Sequence, residues 1–279
     1  MALHPQPVAL ISAPVTIPAN TGAGVVFGFT QALRNTDAVG VLVDRLVFAP
    51  SNPLTEFAVR LSYQGETITN GWIPVHAFCW PQNEAWYRGS GPTVVFARPI
   101  YLAPGEWIDV SIQVMAADPV ANTITVAALG RETADAPVVR TLPYLTSFMG
   151  SAVDFTTVTP ADDTSSTQDL GNPFTAELHV ERLVGLAYTV GTPLAVNPPT
   201  PDWNLFKLTV TDQADRFWIP RPTPLPAVFD MPVRSWIVGT IMPAHGYLRA
   251  RIETTPPGTA LAPTYRPVLG LVGYRRIAS

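Results

Sequence analysis

The sequence predicts an all-β protein built from two tandem eight-stranded antiparallel β-sandwiches of the jelly-roll type. Thirty prolines and 19 glycines are spread over its 279 residues, and each proline inside a helix costs ~3 kcal/mol. Alternating apolar and polar segments recur about every ten residues, a spacing typical of sandwiches and barrels. The two halves of the chain also resemble each other, which indicates two copies of one fold.

Alternation defines the strands of the first half. Phe57, Val59, Leu61 and Tyr63 fall on one face of a strand, with Arg60 on the other. The predicted strands are residues 8–12, 24–33, 41–48, 57–63, 71–77, 93–100, 106–114 and 123–130. No segment between them reads as a crossover helix, so a parallel sheet is excluded.

A tandem duplication is the most informative feature of the sequence. The clearest match is Trp-Ile-Pro, which occurs at 72–74 and again at 218–220. The matched segments, in chain order, are 29–33 with 174–178, 43–47 with 180–184, 59–63 with 206–210, 72–74 with 218–220, 105–110 with 246–251, and 128–130 with 271–273. We therefore expect Trp72 to match Trp218 and Arg45 to match Arg182.

The duplication predicts the domain organisation. We expect a first jelly-roll domain over residues 1–132, a linker over 133–150 and a second jelly-roll domain over 151–279. The N-terminal segment from Met1 to Pro18, rich in proline, is expected to reach toward neighbouring molecules or a particle interior.

Composition excludes several classes of protein. Charged residues make up 14% of the chain, against about 25% in an average domain, yet the 47% hydrophobic content is too high for a disordered chain. The net charge is −4 and no basic run exceeds Arg275-Arg276, so we expect no direct nucleic-acid binding. The N-terminus lacks the pattern of a secretory signal, which favours synthesis in the cytoplasm.

Catalytic and metal-binding motifs do not stand out. The histidines, which have no metal-site spacing, are His4, His76, His179 and His245. A single cysteine, Cys79, excludes an internal disulfide, and on a strand His76 and Cys79 would face opposite sides. The acidic positions Asp162, Asp163 and Asp169 do not fit an EF-hand loop, so ordinary solvation is favoured over calcium binding. We predict no enzymatic activity, no cofactor and no metal.

One cluster of aromatic residues is a candidate binding surface. Trp80, Trp86 and Tyr87 lie with Arg88 in a loop that also contains polar residues. Exposed aromatic rings could stack on a sugar or anchor a protein interface, whereas the structural alternative is that they cap one end of the barrel. The sequence leaves both interpretations open.

Two tandem eight-stranded sandwiches in fewer than 300 residues, without disulfides or catalytic motifs, resemble the double jelly-roll major capsid proteins of tailless icosahedral viruses of bacteria and archaea. The resemblance covers nearly the whole chain and rests on architecture and duplication, not on a family motif. It implies barrels side by side in trimers with a pseudo-six-fold outline, which tile a shell around a membrane or genome. The implied partners are further copies and other virion proteins, and the implied location is the virion, after synthesis in the host cytoplasm. Family members often carry a helix in each barrel and long tower loops, for which this chain has little room.

Two other functions fit the same architecture. A viral spike, fibre or head-decoration protein would bind host glycans through the loop from Trp80 to Arg88 and its counterpart from Arg221 to Asp230. A secreted glycosidase-associated binding module is the third class, and the missing signal peptide counts against it.

Overall fold

The computed structural model describes residues 6–52, 56–78, 93–150, 153–154, 165–189, 205–229, 235–254 and 264–277. These residues are almost entirely β-structure, and the strand pairings recorded between them are antiparallel. No helix in the described part of the chain is long and apolar enough to cross a membrane.

The first half forms a jelly roll. Its strands are β1 (Pro7–Ile11), β2 (Val15–Ile17), β3 (Val26–Arg34), β4 (Gly40–Pro50), β5 (Phe57–Tyr63), β6 (Glu66–Thr67), β7 (Thr69–Asn70), β8 (Ile73–Pro74), β9 (Thr93–Leu102), β10 (Trp107–Val114) and β11 (Asn122–Thr133). One sheet has the order β1-β11-β4-β9, and the other has the order β3-β10-β5 with β6 and β8 both paired to β5. Leaving out the short β2, β6 and β7, these orders are 1-8-3-6 and 2-7-4-5, the two-sheet connection of a jelly roll.

The second half repeats this connection. Its strands are β12 (Arg140–Met149), β13 (Val153–Asp154), β14 (Ser165–Gly171), β15 (Leu178–Thr189), β16 (Phe206–Asp212), β17 (Phe217–Pro224), β18 (Ser235–Met242), β19 (Tyr247–Thr254) and β20 (Thr264–Ile277). The sheets run β12-β20-β15-β18 and β14-β19-β16-β17, with β13 added beside β20. Without β13 the orders are again 1-8-3-6 and 2-7-4-5. The predicted pair of eight-stranded antiparallel jelly rolls is confirmed.

Alternation places the core between the sheets, as the sequence predicts. Leu10, Ala128, Leu46 and Val94 are cross-strand neighbours on β1, β11, β4 and β9, and all four are buried. Because successive side chains point to opposite faces of a strand, the residues on either side of this row point outward.

The compact units of the chain differ from the predicted domain boundaries. One unit contains Met1–Leu145 together with Val272–Ser279, and the other contains Thr146–Leu271. The predicted linker, 133–150, is mostly strand: β11 ends at Thr133 and β12 begins at Arg140. The inward side chains of β12 are buried, so this segment is part of a folded sheet. Only residues 134–139 connect the two strands.

The predicted strand over 71–77 is wrong beyond Pro74. Only Ile73–Pro74 is strand, and the chain then turns into the helix α1 (Val75–Phe78). The second jelly roll has a similar helix, α2 (Leu225–Val228), after its fifth strand. Proline is tolerated at a helix start because the first amides have no intrahelical partner. His76 therefore lies on a helix, so the argument from opposite strand faces does not hold, and Cys79 lies outside the described residues.

Most of the duplication is visible in the structure. The third strand of each jelly roll breaks register at the same place, between Val43 and Arg45 in β4 and between Val180 and Arg182 in β15. Arg45 thus corresponds to Arg182, as expected. The matched pair 29–33 and 174–178 is wrong, because residues 29–33 lie within β3 whereas 174–177 follow the end of β14 at Gly171.

The Trp-Ile-Pro segments lie on equivalent strands. Ile73 pairs with Val59, and Ile219 pairs with Val210, so both isoleucines lie on the fifth strand beside the fourth. Both are buried, while the tryptophans that precede them are only partly buried.

We expect Trp72→Ala and Trp218→Ala each to lower the free energy of unfolding by about 1–2 kcal/mol, less than the 3–5 kcal/mol of a fully buried ring. Ile73→Ala and Ile219→Ala should cost more, about 2–5 kcal/mol, because each leaves a cavity. Urea denaturation of the four variants tests this order. Tryptophan variants that cost more than the isoleucine variants would contradict it.

A buried asparagine marks the end of the second strand in each jelly roll, and the sequence comparison missed it. Asn35 and Asn172 are both buried. In the first jelly roll the Asn35 amide donates to the Val39 carbonyl (2.9 Å) and the Leu102 carbonyl (3.0 Å), and its Oδ1 accepts from the Asp37 amide (3.1 Å). In the second, the Asn172 amide donates to the carbonyls of Ala176 (2.9 Å) and Pro243 (2.8 Å), and its Oδ1 accepts from the Phe174 amide (3.0 Å). The two side chains therefore close equivalent turns.

Residues 7–17 of the N-terminal segment are part of the first jelly roll, which corrects, for this stretch, the expectation that the segment reaches outward; residues 1–5 lie outside the described residues. All of β1 and β2 pair with β11, and Leu10 and Ile17 are buried. Between these strands, Ser12 exchanges hydrogen bonds with Val126 through its amide (2.8 Å) and its hydroxyl (2.9 Å). Backbone pairing and apolar burial hold residues 7–17 in the sheet.

Candidate assembly surface

The outer face of the sheet β1-β11-β4-β9 carries unusually few polar groups. Along β11, Ile124, Val126 and Ala128 are buried, and the alternate residues point outward and are half-buried. One outward row across the sheet consists of Ile11, Ala127, Val47 and Thr93. The adjacent row consists of Ala9, Leu129, Arg45 and Val95. Ile11 is 66% exposed, which is unusual for a large aliphatic side chain.

Charge on this face lies in the neighbours Asp44 and Arg45 of β4 and in the exposed Arg131 of β11. Arg45 Nε lies 2.7 Å from Asp44 Oδ1, and both side chains are about half exposed. The hydrogen bond and the charge of Asp44 raise the pKa of Arg45, so the pair is ionised at neutral pH. An exposed pair of this kind contributes little to stability.

The outer face of the opposite sheet in the same jelly roll is polar by comparison. The outward residues of β10 are Trp107, Asp109, Ser111 and Gln113, and the Trp107 Nε1 donates to Asp109 Oδ1 (2.9 Å). On β5, Arg60 is exposed and Ser62 is half-buried. An antiparallel sheet with one solvated face normally shows such polar residues. The apolar outer face of β1-β11-β4-β9 is therefore the exception and the candidate contact surface.

A polar cluster lies at one end of the same jelly roll. Glu106 Oε2 accepts hydrogen bonds from the Tyr63 hydroxyl and the Ala103 amide, both at 2.7 Å. Arg140 donates to Glu106 Oε1 (3.2 Å) and to the Tyr63 oxygen (3.0 Å), and its guanidinium lies 4.9 Å from the centre of the Tyr101 ring. These bonds join the start of β12 to the turn before β10.

The cluster changes the ionisation of Glu106. Burial alone would raise the pKa of Glu106, but the bonds from Tyr63, Ala103 and Arg140 outweigh it and leave this pKa below its ordinary value of 4.5. Burial, together with the hydrogen bond to Glu106, raises the pKa of Tyr63. The tyrosine therefore stays a neutral donor and the glutamate a charged acceptor.

We expect Glu106→Gln to make the free energy of unfolding less dependent on pH in the acidic range. Because the folded pKa is depressed, the Glu106 contribution is complete above pH 4.5 and is lost as the pH falls through the lower folded value. The variant should be less stable than the natural protein at pH 7, and this difference should shrink by pH 3. Urea denaturation at several pH values measures it, with the exposed Glu177→Gln as control. A stability difference that stays constant with pH would contradict the prediction.

The residues predicted as a binding surface fall outside the described part of the chain. This applies to Trp80, Trp86, Tyr87 and Arg88, so a glycan or interface role for them stays a prediction. Asp169, one of the acidic candidates, accepts hydrogen bonds from Arg249 at 2.9 and 3.2 Å, which occupies its carboxylate with an ion pair. Over the described ranges, no group of three or more histidine, cysteine or acidic residues could hold a metal ion.

Comparisons with known proteins place the chain near viral capsid proteins in structure but not in sequence. No protein-family model and no curated protein sequence matches it. It is similar to the major capsid protein P2 from bacteriophage PM2, with a TM-score of 0.47, 7% identity and coverage of 97% of this chain and 98% of that one. It is also similar to the mavirus major capsid protein, with a TM-score of 0.34, 9% identity and coverage of 95% and 86%. Both TM-scores lie below 0.5, so the function rests on the geometry of this chain.

Proposed function

We propose that the protein is a viral structural protein, a major capsid protein that assembles as trimers into an icosahedral shell. The observation that carries this proposal is the presence of two jelly rolls with the same connection in one chain. Jelly rolls are common building blocks of viral shells. Three such chains supply six similar blocks around one axis, a nearly hexagonal unit that can tile a closed surface.

The apolar outer face of the first jelly roll supports the same function. Soluble monomers rarely expose continuous apolar surface, whereas a subunit of an assembly needs surface that is buried only when copies meet. In this function the chain binds other copies and other virion proteins, needs no cofactor and turns over no substrate. It acts in the virion after synthesis in the host cytoplasm.

Expression of the full chain tests the proposal. Light scattering should give a mass of three 30.1 kDa chains, and electron microscopy should show closed particles under assembly conditions. A monodisperse monomer at high concentration would overturn it. An oligomer that forms no particles and binds a glycan array would instead support the spike, fibre or decoration function, and a purified protein that hydrolyses a polysaccharide would support an enzyme.

A further inference from the structure

We propose that the outer face of the sheet β1-β11-β4-β9 is a contact surface for a second copy of this chain. The inference rests on the proposed function, because it names the surface through which subunits of the assembly meet. It follows from comparing this face with its duplicate in the second jelly roll.

The central strands of the two duplicated sheets differ in burial. Residues 122–129 of β11 alternate between buried and half-buried, so one face of that strand is open. The strand equivalent to β11 in the second jelly roll is β20. It is buried continuously over residues 267–271, so both of its faces are covered there. Continuous burial in a strand means that its sheet is packed on both sides. The outer face is therefore covered along β20 in the second jelly roll and open along β11 in the first, although at the edge strand β18 of the second sheet Ile237 is 78% exposed.

The third strands show the same difference at matched positions. The Arg45 side chain is 48% exposed, while that of its counterpart Arg182 is 9% exposed. Val47 is half-buried, whereas the corresponding Val184 is buried.

The chemistry of the open face suits burial against protein. Its outward side chains are mostly alanine, threonine, valine, leucine and isoleucine, which lose little or moderate conformational entropy when they are ordered. Asp44 and Arg45 already neutralise each other at 2.7 Å, so burial of this pair leaves neither charge alone, and the exposed Arg131 lies one row away toward one end of β11. In the duplicate, Arg182 is buried 3.7 Å from Glu181, whose side chain stays 41% exposed. A glycan or a nucleic acid would need a dense set of polar donors, which these rows lack.

The size of the face is in the range of a specific interface. Its four strands contain 5, 12, 11 and 10 residues. With about 3.3 Å per residue and ~4.8 Å between strands, they cover roughly 500–600 Å². Contact with an equal area on a second copy buries about 1,000–1,200 Å² in total, the lower bound for a specific interface.

Two charge substitutions test the surface. Ala127→Asp places a carboxylate at the centre of the face, and Ala9→Asp places one on the exposed edge strand β1, where the fold tolerates it. Ser111→Asp, on the polar outer face of the opposite sheet, is the matched control. Light scattering and analytical ultracentrifugation of the full chain measure the oligomeric state, and thermal melting measures the fold.

We expect both face variants to weaken self-association at least tenfold, while the Ser111→Asp control keeps the mass of the natural protein. The melting temperature of Ala9→Asp should equal that of the control, which separates loss of contact from loss of fold. Face variants that keep the full oligomer mass, or a natural chain that is monomeric, would overturn the inference.

The outcomes also separate this inference from the capsid proposal. If both face variants form particles as the natural chain does, the surface assignment fails and the capsid function stands. If the natural chain forms an oligomer that both variants dissociate, but never forms particles, the surface stands and the capsid function fails.

Discussion

Asn35→Ala and Asn172→Ala should each lower the free energy of unfolding by about 3–5 kcal/mol. Each asparagine is buried, and its side chain makes three hydrogen bonds to backbone groups at Asn35 and four at Asn172. A hydrogen bond contributes about 0.5–1.5 kcal/mol, and a buried group that loses its partner costs a further 1–3 kcal/mol. Alanine removes all of these bonds and leaves carbonyls without a donor inside the turn.

The duplication makes the asparagine prediction stricter. Because the two side chains close equivalent turns, their losses should agree within about 1 kcal/mol, whereas unrelated positions could differ by several. Asn70→Ala, at an exposed position, is the control and should cost less than about 0.5 kcal/mol. Chemical denaturation of the three variants provides the values. A loss below 1 kcal/mol at either buried site would show that its turn holds without the side chain.

The strands could be predicted because alternation is a local signal. Phe57–Tyr63 was predicted with the bounds that the structure gives it, and β4, β10 and β11 were predicted within a few residues. The helix at Val75–Phe78 was missed because four residues carry no 3.6-residue period, and Pro74 before it is compatible with an edge strand as well as a helix start.

The matches that indicate the duplication are mostly short apolar segments, and such segments can be shared by structurally different positions. The 43–47 match works because it contains a register break that each sheet needs. The 29–33 match fails because two segments of similar composition have different structures. Residues 29–33 form part of the strand β3, whereas residues 174–177 follow the end of β14. The asparagine pair has the same spacing, 137 residues, as the 43–47 match. A search for repeated polar residues next to strand ends would have found it.

The candidate contact surface could not be predicted from the sequence. Ala9, Ala127 and Val47 come from three distant segments, and they become neighbours only through the sheet register. Each strand alone reads as an ordinary half-buried strand, because alanine, threonine and valine are unremarkable on either face. The domain boundaries escaped prediction for a similar reason: the final residues of the chain, from Val272, belong with the first unit, and local sequence carries no sign of this return.

Deleting residues 1–18 should prevent the first jelly roll from folding stably. The deletion removes β1 and β2, which together pair with β11 along eight positions. It also removes Leu10 and Ile17, which are buried, and truncating one such side chain to alanine already costs about 2–5 kcal/mol. The total loss approaches the 5–15 kcal/mol stability of a whole domain. The outer edge of β11 would then present unpaired amides and carbonyls, which promote aggregation.

A shorter deletion provides the control for this result. Removing residues 1–6 leaves β1 intact from Pro7, so that protein should keep the melting temperature of the full chain. The longer deletion should give aggregated or partly unfolded protein, seen as a lower melting temperature and loss of the soluble fraction. If the 1–18 deletion melts like the full chain and is defective only in assembly, β1 and β2 contribute contacts between copies and not the stability of their own sheet. The two deletions therefore decide whether the N-terminal strands serve the fold or the assembly, and the eight ladder positions and two buried side chains favour the fold.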